Sequence, residues 1–145
     1  MNSKIREITL NDKPIVLKMM REFYASECVA TNGSEDIFNA DIDACISNSP
    51  YLEGYVFEKD GKIQGYAMLA KSFSTEYGKP CIWVEDLYIE SECRGLGLGS
   101  GFFEFIEEKY KNAIFRLEVE AENTRAVNVY KKRGFDFMPY LEMKK

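Results

Sequence analysis

The apolar positions of this chain change period several times, and each change marks an element. Ile5 and Ile8 predict a short strand over 4–9. Asn11 or Asp12 can cap the helix that follows, and Pro14 suits its first turn. Ile15, Met19 and Phe23, with Leu17, Met20 and Tyr24, recur at helical spacing and carry this helix to about Ser26. A second helix over 34–47 starts at Ser34, carries Ile37, Ile42, Ala44, Cys45 and Ile46, and is followed by Pro50. Strands over 52–59 and 62–71 flank Asp60-Gly61, a strong hairpin signal.

A strand over 81–89 comes next, and a glycine-rich segment at 94–101 leads into a helix through about Tyr110. Residues 114–120 read as a strand and 124–133 as a helix carrying Ala126, Val127, Val129 and Tyr130. Lys131-Lys132-Arg133 suits the dipole at that helix's end, and Gly134 is a natural C′ residue. Short strands over 135–138 and 140–144 finish the chain. The order is β-α-α-β-β-β-α-β-α-β-β, a mixed-sheet α/β (α+β) class. Its crossover at 81–120 must be right-handed and makes the two joined strands parallel.

Composition narrows the chemistry. The 145 residues suit one domain, 1–145, and 46% hydrophobic content supports a packed core rather than global disorder. A net charge of −5 opposes non-specific nucleic-acid binding and fits a cationic small substrate. Histidine is absent, so acid–base work falls to Glu, Asp, Tyr, Lys or Cys. Cys28, Cys45, Cys81 and Cys93 form no C-x-x-C pair and read as reduced thiols of a cytoplasmic protein, not as a metal site. The N-terminal residues lack a signal peptide's apolar run, and no apolar stretch approaches the ~20 residues of a membrane span.

The most informative stretch is Arg94-Gly95-Leu96-Gly97-Leu98-Gly99-Ser100-Gly101. It follows a predicted strand and opens a helix. Glycines let a backbone approach a ligand closely, and a helix N-terminus offers unpaired donors and a positive dipole end. Together they suit a phosphate or pyrophosphate, to which Arg94 can add a charged contact. No lysine follows as in a P-loop, and the strictly alternate glycines fail the G-x-G-x-x-G dinucleotide pattern.

Arg94, Gly97 and Gly99 do fill Gln/Arg-x-x-Gly-x-Gly/Ala. With Val84-Glu85-Asp86-Leu87-Tyr88-Ile89 before and Asn123-x-x-Ala126-x-x-x-Tyr130-Lys131-x-x-Gly134-Phe135 after, the chain resembles the GNAT superfamily of N-acetyltransferases. That resemblance implies acetyl-CoA (coenzyme A) as cofactor and a sheet splayed between the strands at 81–89 and 114–120. It implies pantetheine contacts from main-chain groups of the Leu87-Tyr88-Ile89 stretch. The pyrophosphate would lie on the amides of Gly95, Leu96, Gly97, Leu98, Gly99 and Ser100. Asn123 would bond the cofactor arm, or cap the last helix, and both can hold.

By the same resemblance Tyr130 is the general acid for the departing thiolate; otherwise it is a core aromatic. An alkylamine of pKa ~10.4 is mostly protonated at pH 7, which costs about 4.6 kcal/mol to reverse. Glu85, where the split begins, is the candidate base, with Asp86 its rival. Strict alternation puts Trp83, Glu85, Leu87 and Ile89 on one face, but the family often has a bulge here. The Leu87 amide would meet the oxyanion. Glu118 and Glu120 can line an acceptor pocket, or be solvated or paired with Lys or Arg; Phe73, Glu76 and Tyr77 in a 71–80 loop can form part of that pocket. Cys93 has no histidine partner, so direct transfer in a ternary complex is expected.

Val84-Glu85-Asp86-Leu87, the glycine loop and Lys131-Lys132-Arg133-Gly134 are similar to the diamine and polyamine branch. The expected partner is therefore a small-molecule basic amine, with an aminoglycoside, amino acid or protein amine as alternatives. A non-catalytic acyl-CoA sensor is the reading from another class. The last strand would be a sheet edge or a homodimer contact.

Overall fold

The computed structural model describes residues 3–26, 29 and 33–145. Cys28 lies outside them. One sheet runs in chain order: β1 (Ser3–Glu7), β2 (Leu52–Lys59), β3 (Lys62–Ser74), β4 (Lys79–Ile89) and β5 (Ile114–Leu117). β1 to β4 pair antiparallel, and β5 joins β4 in parallel after the predicted crossover. The helices are α1 (Lys13–Tyr24), α2 (Glu35–Ile46), α3 (Leu98–Lys109) and α4 (Thr124–Lys132). None among the described residues is long and apolar enough to cross a membrane.

Alternation along the strands builds a core on each face. Val56, Tyr66 and Met68 pack against Val16, Met19 and Met20 of α1 and Phe38 and Ile42 of α2. Tyr55, Phe57, Leu69, Ile82 and Val84 face Phe102, Phe103 and Ile106 of α3. Each such side chain contributes about 1.5–3 kcal/mol of burial. The β2–β3 hairpin turns at Asp60 and Gly61, whose φ of 51° and 79° are the left-handed pair a two-residue turn requires.

Several expectations need correction. Neither Asn11 nor Asp12 caps α1 through its side chain. The Asp12 carboxylate instead accepts from Arg6 at 2.8 and 3.0 Å and from the Thr9 amide at 2.7 Å, tying β1 to α1. Arg6 holds this carboxyl below its usual range. Ser34 does cap α2, accepting the Ile37 amide at 3.3 Å. β3 and β4 run past the predicted ends, so the 71–80 loop shrinks to a turn at 75–78.

Residues 118–120 and the segments 135–138 and 140–144 form no strand. A strand needs a ladder partner, and β5 stops pairing at Leu117. Pro139 lacks an N–H between the two tail segments. Leu141 and Met143 are 97% and 96% exposed, so the tail's apolar alternation meets no second layer among the described residues.

Candidate active site

The site begins where two strands part. β4 and β5 pair only from Cys81–Ile114 to Val84–Leu117. The next residue, Glu85, is a bulge in the β3–β4 ladder: Leu69 opposes Val84, and Met68 opposes Asp86. The extra residue flips the alternation. Ile82 and Val84, then Leu87 and Ile89, pack toward α3, whereas Tyr88 joins the α1 core. Trp83 therefore does not share a face with Leu87 and Ile89, as strict alternation required. A cavity of about 990 Å³ opens at the split, with Trp83, Glu85, Arg116, Glu118, Tyr130 and Glu142 on its walls.

The glycine loop turns in the left-handed region just before a helix start. Gly95 and Gly97 have φ of 78° and 86°, and Gly97 is the N-cap of α3 with no side chain capping that end. The first-turn amides have no intrahelical partners. A Cβ built on Gly95 or Gly97 meets nothing within 4 Å, so each glycine has open space beside it. Leu96 and Ser100 are exposed, and Leu98 and Gly99 are half-buried. Arg94 is engaged differently from a free phosphate ligand: its Nε donates to the Ile89 carbonyl at 2.9 Å, and its guanidinium lies 5.6 Å from the Tyr88 ring centroid. It ties the loop to the end of β4.

Gly97→Ala should weaken coenzyme A binding about tenfold or more, because a side chain at this φ strains the turn by roughly 1–2 kcal/mol and enters the open side of the loop. Gly101→Ala, without positive φ and with nothing near its Cβ, is the matched control. Calorimetric Kd values for the two variants check this; equal affinities would remove the loop from the binding site.

Carboxylates gather around Glu85. Asp86 is buried, 4% exposed, and accepts the Tyr24 hydroxyl at 2.9 Å and the Tyr66 hydroxyl at 2.7 Å. Burial raises its pKa, and the two donors partly offset that. Partial burial, then the charges of Asp86 and Glu142, raise Glu85, which is nevertheless exposed. Asp41 on α2 is pushed up to about 6 by burial, then by Asp86 and Glu85. Glu118 rises to about 7, chiefly through a hydrogen bond shared with Glu142.

Sequence reasoning singled out neither Glu142, on the cavity wall, nor Asp41, which feels the charges of Asp86 and Glu85. Asp41 was legible in principle, because it lies on the 38–42–45 helical stripe that α2 buries. Glu142 carried no local signal. Glu118 and Glu120 do line the cavity, and Glu118 meets another carboxyl rather than a Lys or Arg.

These raised groups have a consequence for stability. Their folded pKa values exceed the ordinary ~4 of the unfolded chain, so the native state holds extra protons between about pH 4 and 7. Stability therefore falls as pH rises through that window. Tm should be higher at pH 6 than at pH 8, and a diamine should raise it more at pH 8. Equal values in a scanning-fluorimetry series would contradict this.

The expected acid lies on α4. Tyr130 is half-buried, lines the cavity, and packs edge-on against Phe103 and Phe135 with centroids 6.1 and 6.0 Å away. Both expected environments, core and site, thus meet at one ring. Asn123 caps α4, accepting the Ala126 amide at 3.2 Å. The Tyr88 hydroxyl donates to Glu22 at 2.7 Å on the α1 side, so only its main chain can serve the split. Cys93 is buried, and burial pushes the Cys45 thiol up to about 12, so Cys45 offers no thiolate nucleophile.

The model of the Acetyltransferase (GNAT) family matches residues 17–135. The chain belongs to this family. A thialysine N-epsilon-acetyltransferase of Sus scrofa is 31% identical over 143 residues, covering 90% of this chain and 82% of that protein. The Mus musculus protein of the same name is 27% identical over 146 residues, covering 92% and 84%. Among solved structures, a possible acetyltransferase from Clostridium difficile 630 superposes with a TM-score of 0.83 at 20% identity, over 100% of this chain and 97% of that one. AAC(6')-Iy in complex with a CoA bisubstrate analog gives 0.80 at 14% identity, over 100% and 98%.

This GNAT chain is an acetyl-CoA-dependent N-acetyltransferase. Its own geometry fits the cofactor. Two left-handed glycines with open space beside them precede an uncapped helix start, and a parting sheet adjoins it. The α3 N-terminus suits the pyrophosphate, and the stretch of β4 past Val84, paired with β3 but no longer with β5, suits an extended amide arm.

Proposed function

We propose that this acetyltransferase acts as a single domain, 1–145, and acetylates a primary amine of a small basic acceptor, of the diamine or polyamine kind. The observation that carries this reading is the carboxylate group around Glu85: Glu85, Glu118 and Glu142 line the cavity, burial and the charge of Asp86 raise Asp41 and Glu85, and Glu142 raises Glu118 and adds to the rise at Glu85. Unneutralised carboxylates this close destabilise one another, and a cation relieves the repulsion. The relatives named for an N-epsilon amine support the same acceptor chemistry.

When bound, acetyl-CoA supplies the activated acetyl thioester. The amides of Gly95 through Ser100 would hold the pyrophosphate, main-chain groups of Leu87, Tyr88 and Ile89 would align the pantetheine arm, and Arg94 and Asn123 would brace the two ends. Glu85 takes the ammonium proton of the acceptor, directly or through water. The freed nitrogen would form the amide bond as the carbon–sulfur bond breaks; Tyr130 would give its proton to the departing sulfur and regain one, through solvent, from the nitrogen as it sheds its remaining excess proton. Asp86 is held by two tyrosines on the α1 side and orders the floor beneath Glu85. The free thiols of Cys45, Cys81 and Cys93 support a cytoplasmic setting. The exposed Leu141 and Met143 support a homodimer contact through the tail.

A thiol-release assay with acetyl-CoA across diamines, polyamines, amino acids, an aminoglycoside and monoamines tests the acceptor. The highest kcat/KM should fall on amines with a second positive charge. Equal or better use of monoamines would defeat the reading. Coenzyme A binding without turnover of any amine would favour a sensor.

A further inference from the structure

The tail lines one wall of the cavity through Tyr140 and Glu142, and a carboxylate on the β3–β4 turn contacts it. One oxygen of Glu76 accepts the Tyr140 hydroxyl at 2.8 Å. The other lies 3.6 Å from Nη2 of Arg116 on β5. The Arg116 guanidinium in turn lies over the Trp83 ring of β4, 5.7 Å from its centroid. Trp83, Arg116, Tyr140 and Glu142 all line the cavity. Two residues beyond Tyr140, Glu142 reaches the Glu118 carboxyl and adds its charge at Glu85.

We propose that Glu76 is a positioning residue for the acceptor: through Tyr140 and Arg116 it latches the C-terminal tail so that Glu142 completes the carboxylate wall, and the latch thereby sets the preference for an acceptor with a second cationic centre. The proposal rests on the cationic-acceptor reading above. Residues 135–145 belong to no strand or helix, so side-chain contacts such as these decide where the tail lies. Among the described residues, Glu76 joins the turn to both β5 and the tail. Losing it frees the tail and removes the anion opposite Arg116, leaving a cation to repel the acceptor.

Trp83 is the sole tryptophan of the chain, so its fluorescence reports on the latch without any acceptor. Full-length wild type, E76Q and Y140F are compared in two measurements: acrylamide quenching of Trp83, and steady-state kinetics with diaminobutane and butylamine. Both variants should show stronger quenching. Both should raise the diaminobutane KM about fivefold or more, with kcat, the butylamine KM and the coenzyme A Kd within about twofold. Unchanged quenching in both variants would overturn the latch, whatever amine the wild type prefers. Changed quenching with an unchanged diaminobutane KM would overturn its role in acceptor choice. Failure of the wild type to acetylate diaminobutane would instead defeat the acceptor reading, and with it the selectivity part of this proposal.

Discussion

Tyr130→Phe should lower kcat about 100-fold while leaving the coenzyme A Kd within about threefold. The change removes one hydroxyl and keeps the ring, so the packing against Phe103 and Phe135 survives. What is lost is a proton donor. A thiol leaves as a thiolate unless protonated; its pKa of ~8.5 lies below a phenol's ~10, so transfer from the phenol needs the charge that builds on sulfur as the carbon–sulfur bond breaks. The loss should therefore fall on the chemical step, not on binding. Single-turnover thiol release, with calorimetry for the Kd, separates the two. An unchanged kcat would leave Tyr130 as a core aromatic with no part in transfer.

Glu85→Gln should reduce kcat/KM about 10- to 100-fold at pH 7 and progressively less toward pH 9.5. The sign follows from two titrations. The environment raises the Glu85 pKa, so its base form is lost as pH falls. The amine, with a pKa of ~10.4, sheds its own proton as pH rises, which makes the base dispensable in alkali. A pH-rate profile of both enzymes checks this. A loss of constant size across the range would assign Glu85 to binding the acceptor's charge instead. Asp86→Asn should behave differently. Asp86 lies under Tyr24 and Tyr66, 4% exposed, so its loss should lower Tm more than it alters the shape of the profile.

Much of this molecule was legible along the chain. The hairpin at Asp60-Gly61, the crossover through α3, the uncapped glycine start of that helix and the Gly134 stop of α4 all follow from local rules. So does the left-handed turn at Gly97, because φ preferences and helix ends act within a few residues; the bond from Arg94 to the Ile89 carbonyl does not. Chemistry at the split was half legible: Glu85 and Tyr130 stood out by position in a motif. Asp41 and Glu142, far from both in sequence, did not.

The sequence by itself determined the element order, the antiparallel hairpin, the anion-suited helix start and the exclusion of histidine chemistry, since each depends on residue identity and short-range geometry. Only the tertiary structure decided which carboxylates share one space, which side of β4 Asp86 faces, and where the tail runs. A single bulged residue inverts every later side chain of a strand, and pairing across a sheet depends on partners dozens of residues away. Those outcomes come from long-range packing and charge, which a local pattern does not encode.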